Sequence, residues 1–160
     1  ILAAVFMMAL LSAVVMVSLR GAVRTAQIHE VRAQLQHQDR LVRQSAQRLG
    51  RASLMLLDLS TGQVCAQDEH NTAAPRLQLP EGVRIERLIL PDTECGGGRL
   101  AIACSDRGHT PSYAILLSGP RGERQWLLTV GLTGEQLELR DEQDVRETMA
   151  LLQIQRHDAH

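Results

Sequence analysis

The sequence has few aromatic residues and no lysine. Phe6, Tyr113 and Trp126 are the three aromatic side chains in 160 residues. A hydrophobic core must therefore be built mainly from Leu, Ile and Val. All 17 basic residues are Arg, and the net charge is −1. With 160 residues in all, the sequence has room for one domain of modest size beyond its N-terminal helix.

The near-neutral net charge hides a strong asymmetry along the chain. Residues 20–51 carry seven Arg against two acidic residues, a net of +5, whereas residues 52–160 carry ten Arg against 16 acidic residues, a net of −6. An acidic domain is a poor partner for phosphate backbones, so nucleic acid is an unlikely ligand. A local patch of Arg121, Arg124 and Arg140 leaves a DNA-binding variant open as an alternative.

Charge is absent from the first 19 residues, ILAAVFMMALLSAVVMVSL. At about 1.5 Å per helical residue, this run matches the roughly 30 Å hydrocarbon core of a bilayer. A signal peptide is the alternative, but the helical pattern continues past the run and no small-residue cleavage site follows. We predict a single-pass transmembrane helix over residues 1–19.

The orientation of this span depends on charges at both of its ends. Arg20 and Arg24 follow the span directly and would favour a cytoplasmic head by the positive-inside rule. The chain begins with Ile1 rather than Met, so we expect processing or truncation. A basic leader before Ile1 would reverse the orientation.

The three cysteines fit no metal-binding spacing such as CxxC. Cys65 and Cys104 lie in predicted strands, and a head exported across a membrane could join them in one disulfide. Cys95 lies in a Gly-rich turn. Three unpaired or buried thiols are the alternative.

Residues 20–50 have the pattern of an amphipathic stem helix. A narrow apolar stripe runs along one face, and Gly50 stands where a helix C-cap is expected. The stripe can dock on the chain's own head or on neighbouring helices. The predicted docking residues are Ile28, Val31, Leu35, Val42 and Leu49.

After Gly50 the periodicity changes from helical to alternating. Seven runs of apolar residues with a period near two are separated by short polar turns, which predicts a mainly antiparallel sheet assembly over residues 51–140. Residues 141–160 predict a short helix capped by Asp141, with Val145, Met149 and Leu152 on one face. The fold class expected is α+β, with a long N-terminal transmembrane-plus-stem helix packed on this sheet.

Sequence motifs for catalysis and cofactor binding are missing. The Gly-rich stretches lack the Lys-Ser/Thr of a phosphate-binding loop, and no GxSxG elbow occurs. His29 and His37 are eight residues apart, whereas His157 and His160 have an i, i+3 spacing that could hold a metal but lie at a terminus that we expect to fray. We therefore predict no enzyme activity, no cofactor, no metal and no small-molecule substrate.

Three segments resemble H-type pseudopilins, the group that also contains FimT-like pilins. In that family a stem helix ends in an Arg-Gly pair and is followed by a strand that ends in Asp and by a Thr-Gly turn, and LVRQSAQRLGRASLMLLDLSTGQ resembles this pattern. LPEGVRIERLILPDTECGGGRLAIAC is similar to the family's apolar strand and Gly-rich turn. RQWLLTVGLTGEQLEL is similar to its closing strands.

Two features depart from the family's pattern. Pseudopilins carry a Glu at mature position five, but Val5 stands here and no Glu lies within the span. We interpret this as a chain that starts several residues inside the mature protein, and a minor member of the family that lacks the Glu is the alternative. The second departure is the acidic C-terminal helix from Asp141 onward.

The resemblance implies a minor structural subunit of a type II secretion pseudopilus or a type IV pilus. Such a protein is anchored in the bacterial inner membrane, has its head in the periplasm or an extracellular filament, and assembles with other pseudopilins or pilins through its N-terminal helix. It supports protein secretion across the outer membrane. The resemblance implies filament and membrane packing for Leu2, Val5, Phe6, Met7, Leu10, Leu11, Val14 and Val15.

A function of another class is compatible with the same layout. The heptad-like spacing of the stem stripe is typical of a coiled coil, so the chain could be a membrane-anchored extracytoplasmic sensor or binding domain. A stem-mediated dimer would distinguish that alternative.

Overall fold

A computed structural model describes residues 27–68 and 76–157, without the side chains of 68 and 155–157. The first element is helix α1, which covers the described residues 27–49. It ends at Gly50, whose φ of 59° lies in the left-handed region that glycine adopts without strain. The amide of Arg51 donates to the carbonyl of Ala46 at 3.2 Å and closes the helix end. The predicted C-cap is confirmed.

Nine strands and a second helix follow in the described part of the chain. The strands are β1 (Ser53–Asp58), β2 (Gln63–Asp68), β3 (Leu77–Gln78), β4 (Arg84–Leu90), β5 (Thr93–Cys95), β6 (Arg99–Cys104), β7 (Tyr113–Ser118), β8 (Arg124–Thr129) and β9 (Gln136–Leu139), and the helix is α2 (Glu142–His157).

The strands form two antiparallel sheets. Sheet 1 has the order β3-β2-β1-β6, and sheet 2 has the order β5-β4-β7-β8-β9. In sheet 1, β1 pairs with β2 through the predicted hairpin and with β6 from the other side. In sheet 2, β7 lies at the centre between β4 and β8.

Sheet 2 is covered on both of its faces, and β7 shows this most clearly because all six of its residues are buried. One face meets α1 and the inner face of sheet 1 in a core that contains Tyr113, Ile115 and Leu117. The other face meets α2 in a smaller core that contains Ala114 and Leu116. The architecture is therefore an α+β domain in which an N-terminal helix packs on antiparallel sheets, as predicted.

The sequence predicted the longer elements and missed the shorter ones. Each of the seven predicted strands is present, and β3 and β5, which have only two and three residues, are additional short strands between them. The predicted C-terminal helix is confirmed, and Asp141 caps it by accepting from the amide of Asp144 at 2.8 Å.

The predicted transmembrane residues 1–19 lie outside the described residues, as do the side chains assigned to filament packing. Within the ranges that the structure does describe, there is no helix with both the length and the apolar character needed to cross a membrane.

Candidate functional site: the junction of stem and head

The described part of the stem packs its apolar stripe into the main core of the head. Ile28, Val31, Leu35 and Val42 are 8%, 0%, 3% and 1% exposed. They contact the inner faces of both sheets. Burying a large aliphatic side chain contributes about 1.5–3 kcal/mol, so these residues make the stem an integral part of the domain.

Leu49 does not dock, contrary to the prediction. It is 53% exposed, and Ala46, at 0%, is the last buried apolar residue of the stem. Leu49 follows the fully buried Val31 by 18 residues, which is five helical turns, so it keeps the direction of the stripe. It is exposed because it lies in the last turn of α1, where Gln47, Arg48 and Gly50 are exposed as well and the head no longer covers the helix.

A charged pair lies buried in the middle of the stripe. Asp39 and Arg43 are one helical turn apart on α1 and are only 1% and 8% exposed. Arg43 Nε donates to Asp39 Oδ2 at 2.6 Å, and Arg43 Nη2 lies 3.4 Å from Asp39 Oδ1. Removing two charges from water is costly unless their remaining polar atoms are also satisfied.

The head satisfies those remaining atoms from three of its segments. Arg43 Nη1 donates to the carbonyls of Gly108 at 3.0 Å and Gly131 at 2.7 Å, and Nη2 donates to Thr110 Oγ1 at 2.7 Å. Tyr113 Oη donates to Asp39 Oδ1 at 3.0 Å. We call Asp39, Arg43, Thr110 and Tyr113, with the two glycine carbonyls, the junction cluster.

One glycine of the cluster is fixed by close packing. A Cβ at Gly131 would lie 2.2 Å from the carbonyl oxygen of Thr110, a distance that backbone atoms cannot accommodate. Gly131 therefore allows the loops at 105–112 and 130–135 to meet and to present both carbonyls to one guanidinium.

Two titratable side chains of this region, Tyr113 and Cys104, are held in their neutral forms. Burial, together with the negative charge of Asp39, raises the pKa of Tyr113 well above its usual value. Burial also raises the pKa of the nearby Cys104 thiol. Neutral, hydrogen-bonded side chains with no access to solvent make poor nucleophiles or bases, so the cluster is suited to fixing the stem rather than to catalysis.

Sequence reasoning missed the junction cluster. The sequence holds only a partial signal: Asp39 lies between Leu35 and Val42 of the predicted stripe, and Arg43 directly follows Val42. Acidic and basic residues at i, i+4 occur on many solvated helix faces, so their spacing alone does not indicate burial. The acceptors come from residues more than 60 positions away.

A second polar site stabilises the turn after β1. Asp58 accepts from the amides of Ser60 and Thr61 at 3.1 Å each, from the Ser60 hydroxyl, and from Arg99 Nε at 2.8 Å. These bonds, led by the Ser60 hydroxyl, hold the pKa of Asp58 well below its usual range. The strand-ending Asp of the sequence motif thus fixes the β1–β2 turn and ties it to β6.

The disulfide considered for Cys65 and Cys104 is not formed, and all three cysteines are free thiols. On β1, Cys104 pairs with Ser53, whose side chain is buried, and Cys65 pairs with Leu56. Ser53 and Leu56 are three residues apart, an odd number, so their side chains lie on opposite faces. Because side chains alternate along a strand, the two cysteines lie on opposite faces of sheet 1. That placement excludes the bridge.

The candidate DNA-binding arginines are interleaved with acidic groups. Arg124 Nε lies 3.0 Å from Glu86 Oε2, and the amide of Arg121 donates to Glu123 Oε2 at 2.9 Å. Arg140 borders a shallow pocket that Glu123 and Glu138 also line. The structure therefore does not present these three residues as a continuous basic patch.

Over 27–68 and 76–157, no group of three or more His, Cys, Asp or Glu side chains has an arrangement that could hold a metal ion.

Comparison with known proteins gave one structural match. No protein-family model matches the chain, and no curated protein matches it. The fold is similar to that of the minor pseudopilin EpsH from the type 2 secretion system of Vibrio cholerae, with a TM-score of 0.47 and 13% identity. The match covers 69% of this chain and 94% of that one. At this level of similarity, function has to be inferred from the chain's own residues.

Proposed function

We propose that the chain is a minor pseudopilin-like structural subunit of a type II secretion pseudopilus or a type IV pilus. One observation carries the proposal: the stem is locked into the head by the buried stripe and by the junction cluster. A helix held in this way moves with its head as one body. Force applied to the N-terminal helix would therefore reach the head directly.

The sequence before the described stem supplies the other half of the proposal. The uncharged run over residues 1–19 precedes the stem and has the length of a membrane span. A helix of this composition packs among similar helices about as readily as among lipid tails, so transfer from the membrane to a filament core costs little. We propose that the protein is anchored in the bacterial inner membrane, with its head in the periplasm or in an extracellular filament.

The coiled-coil sensor is less well supported by the structure. A coiled coil needs an apolar seam that is free to meet a partner helix. Over residues 27–49, the apolar stripe is used to contact the head, and the outward face is polar. A DNA-capturing role is also weakened, because acidic groups interleave Arg121, Arg124 and Arg140.

Gene deletion in the source bacterium tests the proposed function. We expect loss of the protein to reduce secretion of exported enzymes or pilus-dependent motility, and we expect the full chain to restore it. A matched variant that lacks residues 1–19 should retain the folded head but fail to restore the phenotype. Normal secretion and motility after deletion would overturn the proposal.

A further inference from the structure

Helix α2 is firmly held on sheet 2. On its inner side Val145 and Met149 are 0% and 6% exposed and pack in the smaller core. At its start, Arg146 Nη2 contacts Glu142 at 2.6 Å and Glu94 at 2.8 Å, and Arg87 Nη1 contacts the same two carboxylates at 2.8 and 3.0 Å. This ring of alternating charges joins α2 to β4 and β5.

The outer side of α2 is bare and partly apolar. Leu151 and Ile154 are 64% and 60% exposed, and Glu147 is exposed on the same side. The spacings of four and three residues place these side chains along one stripe. We call Glu147, Leu151 and Ile154 the outer stripe of α2. A fixed helix with an exposed Leu and Ile has the character of a docking surface.

The outer face of the stem is basic, opposite in charge to Glu147. Arg40 and Arg48 are both exposed and lie on the side of α1 away from the core, with Ala33 and His37 on the same side. Within the described residues, neither Arg40 nor Arg48 has an acidic partner within 4 Å. Glu30, an exposed acid on the stem, accepts from Gln34.

These two surfaces cannot meet within one molecule. Helix α1 and sheet 1 cover one face of sheet 2, whereas α2 covers the other. The two surfaces can therefore contact each other only between molecules. From the charge complementarity and the exposed apolar pair, we propose that the outer stripe of α2 docks on the outer stem face of a second copy. This inference rests on the proposed function, because a filament places subunits side by side.

The spacing of the two faces favours an antiparallel crossing. Glu147 and Ile154 are seven residues apart, as are Arg40 and Ala33, which is about 10 Å along either helix. When Glu147 pairs with Arg40, Ile154 lies over the small side chain of Ala33. Arg48 then points toward the acidic first turn of α2, which contains Glu142 and Asp144. One orientation thus matches both the charges and the apolar contact.

Photocrosslinking in the full chain tests this contact. A photoreactive p-benzoylphenylalanine is placed at position 151, and two differently tagged copies are produced together in the membrane. We expect a crosslink between the tags that maps to residues 33–40 of the second copy. The double variant R40E/R48E should lower the yield at least about fivefold, and adding E147R should restore much of it.

The control is a double variant with the same change in net charge. Arg84 and Arg121 are exposed residues of the head, and R84E/R121E should leave the crosslink unchanged. A crosslink only to another protein, only between two α2 helices, or to nothing would overturn the inference. If the chain that carries the photoreactive residue still restores secretion to the deletion strain in such a case, the proposed function stands without this contact. Failure of the chain to enter the membrane, with normal secretion after gene deletion, would instead overturn the proposed function.

Discussion

At the scale of single residues, two carboxylates with several hydrogen-bond partners each stabilise the structure. Asp39 shares its oxygens between Arg43 and Tyr113, and Asp58 is bonded by Ser60, Thr61 and Arg99. The sequence motif included Asp58, and two of its partners, Ser60 and Thr61, are only two and three residues away in a turn. It could not point to Asp39, whose burial depends on where β7 and two distant loops lie.

The junction cluster gives a first prediction. Asp39→Asn keeps the shape of the side chain but leaves the Arg43 guanidinium buried without its counter-charge. We expect a loss of about 3 kcal/mol in the free energy of unfolding. The matched variant Tyr113→Phe removes one hydrogen bond to the same carboxylate and should cost about 1.5 kcal/mol.

Denaturant unfolding of the full chain in detergent measures both variants. The fluorescence of Trp126 reports on the head, because it is the single tryptophan and is buried under α2. An Asp39→Asn variant as stable as Tyr113→Phe would show that the ion pair does not hold the stem.

Asp58 gives a prediction on pH. Its pKa is lower in the folded protein than in the unfolded chain, so the unfolded state binds more protons in acid. The stability that its charge contributes is present above about pH 4 and is lost as the pH falls toward the folded pKa. Asp58→Asn retains the turn but lacks this titration. Unfolding free energies measured from about pH 5 to pH 2.5 should fall less steeply in this variant, and parallel curves would contradict the assignment.

At the scale of elements, local sequence patterns predicted which helices and strands form, whereas contacts between distant residues decided how these elements pack. The alternation in RLAIAC predicted β6 as a strand, yet nothing local shows that it pairs with β1, more than 40 residues earlier. Strands β3 and β5 are too short to show a period. The seven-residue spacing of the stem predicted four docking residues correctly, but it extended the docking stripe too far, to the exposed Leu49.

The stem provides the prediction at this scale. Leu35→Ala should open a cavity beneath α1 and cost about 3 kcal/mol of stability, because Leu35 is almost fully buried. Leu49→Ala makes the same chemical change at an exposed position and should alter stability by less than about 0.5 kcal/mol. The two unfolding midpoints, compared in the same detergent, decide whether docking stops at Ala46. Equal losses would restore Leu49 to the docking face.

At the scale of the whole molecule, the layers separate the basic stem from α2. The two helices lie on opposite sides of sheet 2, so they face different neighbours. The basic character of the stem was visible in the sequence. The layer order that separates the two surfaces was not, because it follows from the packing of two sheets and two helices around β7.

The amino terminus of the mature protein tests the central claim, membership of a processed, membrane-anchored filament system, most directly. The protein is isolated from membranes of the source organism and sequenced from its first residue, and the result is compared with the full precursor. We predict cleavage after a Gly, with Phe as the first mature residue and Glu as the fifth, upstream of the run that begins ILAAVF. An uncleaved protein that starts at its initiator Met would contradict the account and favour the anchored sensor.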